Sequence, residues 1–214
     1  MNRKKIELEK GGIKPVAHGL WVDATQKLQE AEHAIALMET ATDRFAFEIG
    51  WGRFVDSLEQ FWVRFFDEGK VTFSNFQPWA GKIDAKRKSD PLLKYLFQAR
   101  HQSQHGRIAL QWEAPKLSIG QGFSGHLYGL KIFKDGTYDA SPHQPGGSFP
   151  LVHSPGKPML PVVVNRKHDQ TFNPPTGHDG QPLTDRSPIA AAKIALGYYG
   201  GILVDAMQKF APTP

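Results

Sequence analysis

The chain contains no cysteine. A disulfide framework, a thiolate metal site and a cysteine nucleophile are therefore excluded. Long apolar runs are also missing, and the charged opening Met1–Lys10 leads into no hydrophobic segment, so neither a membrane span nor an export signal is read. A cytoplasmic protein without membrane attachment is the expectation. Excess charge of one sign is small: 26 Lys and Arg stand against 21 Asp and Glu, a net +5 that permits an anionic partner without requiring one. Tight ligand spacings are missing as well. His126, His143, His153, His168 and His178 lie scattered near Asp135, Asp139, Asp169 and Asp179, with no H-x-H or H-E-x-x-H among them, so no metal and no cofactor is expected. Gly120-Gln121-Gly122 lacks the third glycine and the strand–turn–helix setting of a dinucleotide loop, and reads as a turn. No internal repeat and no low-complexity tract is visible.

What is present is a globular chain of 214 residues, 40% hydrophobic, large enough to bury a sizeable core. After a charged, glycine-containing arm, Asp23 offers a cap for a helix on which Leu28, Ala31, Ile35 and Met38 recur at steps of three and four, with Glu30, Glu32 and Glu39 on the wet side. Phe47, Trp51, Phe54, Leu58, Phe61 and Phe65 form the strongest helical stripe. Gly50 and Gly52 predict close approach of a neighbour there, and Gly69 is expected to close the helix. Residues 71–88 are less regular and end in a basic cluster of Lys82, Lys86, Arg87 and Lys88.

From Trp112 to about Leu183, glycine and proline become frequent and short β-type runs replace helical spacing. Lys134–Gly136 predicts a hairpin turn, His168–Asp169 another, and Asn173–Pro182 an irregular loop. Ser187-Pro188 then opens a last helix with Ile189, Ala192, Leu196, Tyr199, Leu203, Ala206 and Phe210 in one stripe. That stripe needs an apolar partner, and the N-terminal helices are the economical one. The fold expected is mainly α: one domain over 1–214, an antiparallel helical bundle from 23–107 and 187–211, interrupted by a β-hairpin-containing insertion at about 112–183. Trp51, Phe54, Leu58, Leu96, Leu196 and Leu203 should share its core. Gly197, Gly200 and Gly201 on the last helix would suit close helix contact within or between subunits.

The least ordinary stretch is Ser89–Arg107. Ser89 and Asp90 offer an N-cap, Pro91 suits the first helical position, and Leu92, Leu93, Leu96, Phe97 and Ala99 give an apolar face. The last turns before Gly106 carry Arg100, His101, Gln102, Gln104 and His105. Arg100 and His105 are spaced R-x4-H. A helix carrying this signature after apolar turns resembles the HEPN family (higher eukaryotes and prokaryotes nucleotide-binding domain). The resemblance covers the helical parts and rests on Arg100, His101 and His105. It implies an antiparallel helical bundle acting as a homodimer, with the two motifs paired across the interface in a metal-independent endoribonuclease of a toxin or defence system. RNA as substrate and a neutralising protein partner follow from the same resemblance. The β insertion departs from the minimal family pattern.

The residue types suit that chemistry. RNA cleavage without metal needs a group to take the 2′-hydroxyl proton or protonate the leaving oxygen, and histidine titrates in the useful range. It also needs a fixed cation at the phosphorane, where guanidinium offers paired donors. Residues five apart on a helix point about 140° from one another, so Arg100 and His105 need a frayed end or a symmetry mate to reach one phosphate. Lys82, Lys86, Arg87 and Lys88 would guide RNA toward the site. A plainer account stands beside this one: cations in a last helical turn favour the carboxyl-end dipole, and a charge run is commonly a solvated face. The alternative function is accordingly a non-catalytic helical dimer whose β insertion mediates protein–protein interaction.

Overall fold

The computed structural model describes residues 19–104, 110–114, 116–119, 127–132, 138–142, 151–154, 156–165 and 168–210. It is mainly helical: α1 (Val22–Glu39), α2 (Arg44–Thr72), α3 (Phe76–Ser89), α4 (Pro91–Gln104) and α5 (Pro188–Phe210). The chain divides into two compact units, Met1–Leu110 with Leu160–Pro214, and Gln111–Met159.

In the helical unit α1 and α2 are antiparallel, because the start of α1 meets the end of α2 and Met38 at its end meets Gly50 near the start. The α1 cap is not Asp23. Trp21 holds that place in left-handed backbone (φ 53°), buried, with its N–H donated to Glu68 at 2.7 Å and its indole N–H to the Phe65 carbonyl at 3.1 Å. Asp23 lies in the first turn and pairs with Arg64 at 3.0 Å. Burial of the tryptophan ring, about 1.5–3 kcal/mol or more for a large side chain, outweighs the side-chain cap that Asp23 offers. All six residues of the α2 stripe are buried, and Asp43 caps the helix by accepting the Ala46 N–H at 2.8 Å.

Glycine explains two packing details and corrects a third. A Cβ on Gly50 would stand 2.7 Å from Met38 Cγ, so the close approach is real there, whereas among the described residues a Cβ on Gly52 meets nothing within 4 Å outside its own helix backbone and chain neighbours. Gly69 does not end α2, which continues to Thr72; a Cβ on it would lie 2.4 Å from the Phe76 ring. Gly69→Ala is thus expected to destabilise by about 1–3 kcal/mol, an overpacking cost. Gly52→Ala should instead stabilise by about 0.5–1 kcal/mol, the helix-propensity gain. Thermal unfolding of the two variants checks both signs.

The irregular reading of 71–88 missed α3. Its inward positions are Phe76, Ala80 and Arg87, so an arginine completes the stripe and the apolar count falls short. Phe76 joins Trp21, Phe65, Phe73, Trp79 and Phe210 in an aromatic cluster that ties α1, α2, α3 and α5 together, with ring centroids 5.1–6.2 Å apart. Helix α5 begins as expected, Ser187 Oγ accepting the Ala190 N–H at 3.2 Å ahead of Pro188. Ala192, Tyr199, Leu203, Ala206 and Phe210 are buried, but Leu196 is only half-buried and Ala191, Ala195 and Ile202 face inward too. Trp51, Phe54, Leu58, Leu96 and Leu203 are buried as expected. Among the described residues, a Cβ built at Gly197, Gly200 or Gly201 meets nothing within 4 Å beyond its chain neighbours and the adjoining backbone of α5. By length and composition α5 could cross a membrane, its best window having mean hydropathy 1.3 with 39% of it buried. Lys193, Asp205 and Lys209 interrupt it, so the sequence shows no unbroken apolar run there, and a core helix meets the same measure.

The strands form two-stranded antiparallel pairs. In the unit Gln111–Met159, β1 (Gln111–Trp112) pairs with β6 (Pro158–Met159), β2 (Lys116–Ile119) with β5 (Leu151–Ser154), and β3 (Leu127–Ile132) with β4 (Tyr138–Pro142). The β3–β4 pair flanks Lys134–Gly136, which lies outside the described residues. In the helical unit, β7 (Val163–Asn165) and β8 (Gln170–Phe172) flank a turn at His168–Asp169, with Asp169 at φ 48°. Asn173–Pro182 is not irregular throughout: β9 (Gly177–His178) and β10 (Gln181–Pro182) make a tight hairpin. Its central residues Asp179 and Gly180 have φ 51° and 73°, both positive as the favoured two-residue hairpin turn requires.

The insertion read at 112–183 therefore divides. Residues from Leu160 onward belong to the helical unit, where they lie along α4. The Tyr95 hydroxyl donates to the Pro161 carbonyl at 2.8 Å, Gln102 accepts the Val164 N–H at 3.2 Å, Asn165 donates to Gln98 at 3.0 Å, and Lys94 lies 5.5 Å from the Phe172 ring centre.

Candidate functional site

Helix α4 is held at its start by one carboxylate. Asp90 Oδ1 accepts the N–H groups of Leu92 and Leu93 at 3.0 and 3.1 Å, making Asp90 the cap; Ser89 instead ends α3, its hydroxyl turned back to the Ala85 carbonyl. The β9–β10 hairpin meets the same carboxylate, with His178 Nδ1 at 3.0 Å and the Asp179 N–H at 2.7 Å. An ionised carboxylate only accepts, so Nδ1 of His178 carries the proton. Burial pushes the Asp90 pKa up, but the hydrogen bonds from Asp179, His178 and Leu93 outweigh it and hold Asp90 below the ordinary aspartate value. Lys86 closes the cluster, 2.8 Å from Asp179 Oδ1 and 5.2 Å from the Tyr198 ring centre.

At the other end of α4, Arg100 is half-buried, its side chain 20% exposed, and Nε lies 3.5 Å from Asp56 Oδ1 on α2. His101 packs edge-on against Phe97 one turn earlier, with ring centroids 4.4 Å apart. His105 lies outside the described residues, as does Gly106. Asp56 also accepts a short hydrogen bond from Gln60. Both line an open groove of about 540 Å³ between α1 and α2, together with Gln29, His33, Arg53 and Ser57.

One turn along α2 from Asp56, Glu59 pairs with Arg87 in the interior. Arg87 is 6% exposed; its Nε donates to the Tyr199 hydroxyl at 2.8 Å and its guanidinium lies 4.4 Å from the Trp62 ring centre. Burial raises the Glu59 pKa above its ordinary value, against the opposing pull of Arg87 and Arg100. Burial also pushes the Tyr199 hydroxyl up to about 12.

The four residues grouped as an RNA-guiding cluster separate in space. Arg87 is a correction: it faces inward because its charge is matched by Glu59 and its plane by Trp62, leaving no surface for a phosphate. Lys86 is paired with Asp179 and Lys88 with Asp84 at 2.6 Å, while Lys82 is exposed. Comparison with protein-family models, curated proteins and solved structures found no match. The site rests on its own geometry.

Of the insertion histidines, His168 is exposed and His178 serves Asp90; His126, His143 and His153 fall where no side chain is described. No group of three or more potential metal ligands occurs among the described residues. Sequence reasoning missed Asp56, Glu59, Asp90 as the hairpin's anchor, and Tyr199 as a polar partner. Two signals were available. Asp56 and Glu59 are two carboxylates three apart on one helix, interrupting its apolar residues, and Asp179-Gly180 is the dipeptide that most strongly marks a tight hairpin.

Proposed function

We propose that this chain is a metal-independent endoribonuclease of HEPN type acting as a homodimer, with its chemistry at the carboxyl end of α4. The observation that supports this reading best is the station of Arg100. It stands on the penultimate described turn of α4, partly open to solvent and paired with Asp56, a residue that lines the α1–α2 groove, five residues before His105. In this reading the 2′-hydroxyl attacks the neighbouring phosphorus, the bond to the 5′-oxygen breaks, and the guanidinium stabilises the phosphorane between. His105 moves a proton to or from the reacting oxygens, from the same or the partner protomer.

A second reading has its own support. Asp56 and Glu59 lie close to Arg100, and three of the four clustered basic residues are matched by carboxylates of the same chain. Those pairs suit a non-catalytic helical dimer that binds a protein.

The separating experiment incubates purified protein with mixed RNA in EDTA, wild type beside Arg100→Lys and His105→Ala. Cleavage leaving 2′,3′-cyclic phosphate ends, falling about 10²-fold or more in each variant, is the result expected of the nuclease. An inert wild type, or variants as active as wild type, favours the binding protein.

A further inference from the structure

The groove between α1 and α2 holds three hydrogen-bonding groups that the chain leaves unused. Ser57 lines it, is 7% exposed, and has no hydrogen-bond partner for its hydroxyl among the described residues. The hydroxyls of Thr25, Thr40, Thr72 and Ser89 each return to the carbonyl four residues back; that of Ser57 does not. A buried hydroxyl in this state costs free energy until another molecule satisfies it. Arg53, one turn earlier on α2, and His33 on α1 also line the groove. Both are exposed and have no ion-pair or hydrogen-bond partner among the described residues.

The acids of the groove are differently committed. Glu30 takes Lys27 on both oxygens, at 2.9 and 2.7 Å, while Asp56 accepts from Gln60 and lies 3.5 Å from Arg100 Nε. Their charges are matched, yet a carboxylate has further lone pairs with which to accept a neutral hydroxyl. The register of the helices orders these groups along the groove. A Cβ on Gly50 would meet Met38 and Ala34. Counting out from there along two antiparallel helices sets His33 level with Arg53, Glu30 level with Asp56 and Ser57, and Gln26 level with Gln60. One end is cationic, the middle offers carboxylates and a hydroxyl, and the far end offers amides. From Arg53 to Gln60 the distance along the axis is about 10 Å.

We propose that this groove binds a small phosphorylated polyol of sugar-phosphate size, its oxyanion between Arg53 and His33 and its hydroxyls against Ser57, Asp56 and Glu30. Guanidinium supplies paired donors to a phosphate, and imidazole adds another N–H. The carboxylates in the middle repel a second anionic group and accept from neutral hydroxyls, which fixes the ligand's direction. The volume of about 540 Å³ lies within the range of about 300–1,000 Å³ usual for small-molecule pockets. No Phe, Tyr or Trp lines the groove, so a nucleobase would find no ring to stack on, and a saturated polyol needs none. The proposal stands apart from the endoribonuclease reading: a wild type inert toward RNA leaves it as it is.

The test is calorimetric titration of the full chain with ribose 5-phosphate, and separately with ribose, inorganic phosphate and succinate. Ribose 5-phosphate should bind and raise the melting temperature, and each of the other three should bind about 10-fold more weakly or less. Arg53→Gln should weaken ribose 5-phosphate by about 10-fold or more. Ser57→Ala should weaken it by about 2- to 10-fold, the loss of one neutral hydrogen bond. The same variant should melt no lower than wild type without ligand, because its hydroxyl has no partner to lose. Lys209→Ala, which removes a positive charge from α5, should bind as wild type does. Absence of ribose 5-phosphate binding at millimolar concentration overturns the proposal. So does inorganic phosphate or succinate bound as tightly, which removes the polyol, or ribose bound as tightly, which removes the oxyanion. Affinity that survives both Arg53→Gln and Ser57→Ala, or falls equally in Lys209→Ala, puts the ligand elsewhere and overturns it as well. A Ser57→Ala variant that melts lower in proportion to its lost affinity assigns that serine to the fold and not to the site.

Discussion

Asp90→Ala is expected to lower the stability of the helical unit by about 3–5 kcal/mol, the range set by losing a helix cap together with hydrogen bonds to a buried charge. The carboxylate is nearly inaccessible and accepts four contacts: two N–H groups of the first turn of α4, the His178 imidazole and the Asp179 N–H. Alanine leaves all four donors without their partner, three of them backbone N–H groups. Asp90→Asn keeps an N-capping oxygen and should lose less. The pH dependence follows from the lowered Asp90 pKa. A carboxylate with a depressed folded-state value contributes stability above its unfolded value of 3.8, and loses it as pH falls through the lower folded value. Wild type and Asp90→Ala should therefore differ fully at neutral pH and converge once the pH has fallen through the lowered folded-state value. Denaturant unfolding at several pH values measures this. Parallel curves at acid and neutral pH would contradict it.

Arg87→Met is expected to cost a similar amount, about 3–5 kcal/mol, because it strips the partner from a buried carboxylate. Methionine keeps much of the arginine stem's volume, so the loss reports on charge more than on packing. Glu59 would be left in the interior with the Tyr199 hydroxyl also missing its donor. The Glu59 pKa is already raised, so the folded protein holds that proton more tightly than the unfolded chain does. Stability from this group is then greater at low pH and falls as pH rises from the ordinary value of 4.5 through the raised one. Without Arg87 the rise is larger, and Arg87→Met should be less damaging at pH 5 than at pH 8. The double variant Arg87→Met with Glu59→Leu should recover much of the loss, since a buried ion pair replaced whole is often nearly neutral. A double variant no better than Arg87→Met alone would show that the pair is not the cause.

The helices that carry dense apolar stripes were legible as residues: α2 from Phe47 to Phe65, α4 from its Ser89–Pro91 entry, α5 from Ser187-Pro188. Periodicity reports how much apolar surface a helix must bury, and these helices bury a great deal. It fails for α3, whose inward row ends in Arg87, because one charged residue in such a row looks like a break until its partner is known. The same blindness hid the candidate site's surroundings. Asp56 beside Arg100 and Asp90 beside His178 are separated by 44 and 88 positions, the differences of their numbers, and nothing in local spacing encodes such pairs. Trp21 shows the converse: a good local cap at Asp23 was available, and tertiary burial of the neighbouring ring decided the start of α1 instead. Arg100 and His101 draw notice in the sequence because donors and titratable groups concentrate there at the end of an otherwise apolar helix. What pairs with them had to come from the fold.

The hairpin at Asp179-Gly180 also imposes an order in time. Helix α4 leaves the ribosome long before its capping carboxylate can meet His178 and Asp179, and Arg87 waits longer still for Tyr199, 112 positions downstream. At about 5–20 residues per second of synthesis, that interval is on the order of several seconds or more. During it, the nascent α3–α4 segment carries a buried-type arginine and an incompletely satisfied cap with no native partner from the carboxyl-terminal part. The amino-terminal helices can pair early through α1 and α2, whose contacts are local. Completion of the α4 start, and of the Arg87 cluster with Tyr199, belongs to the last stage of the chain's emergence.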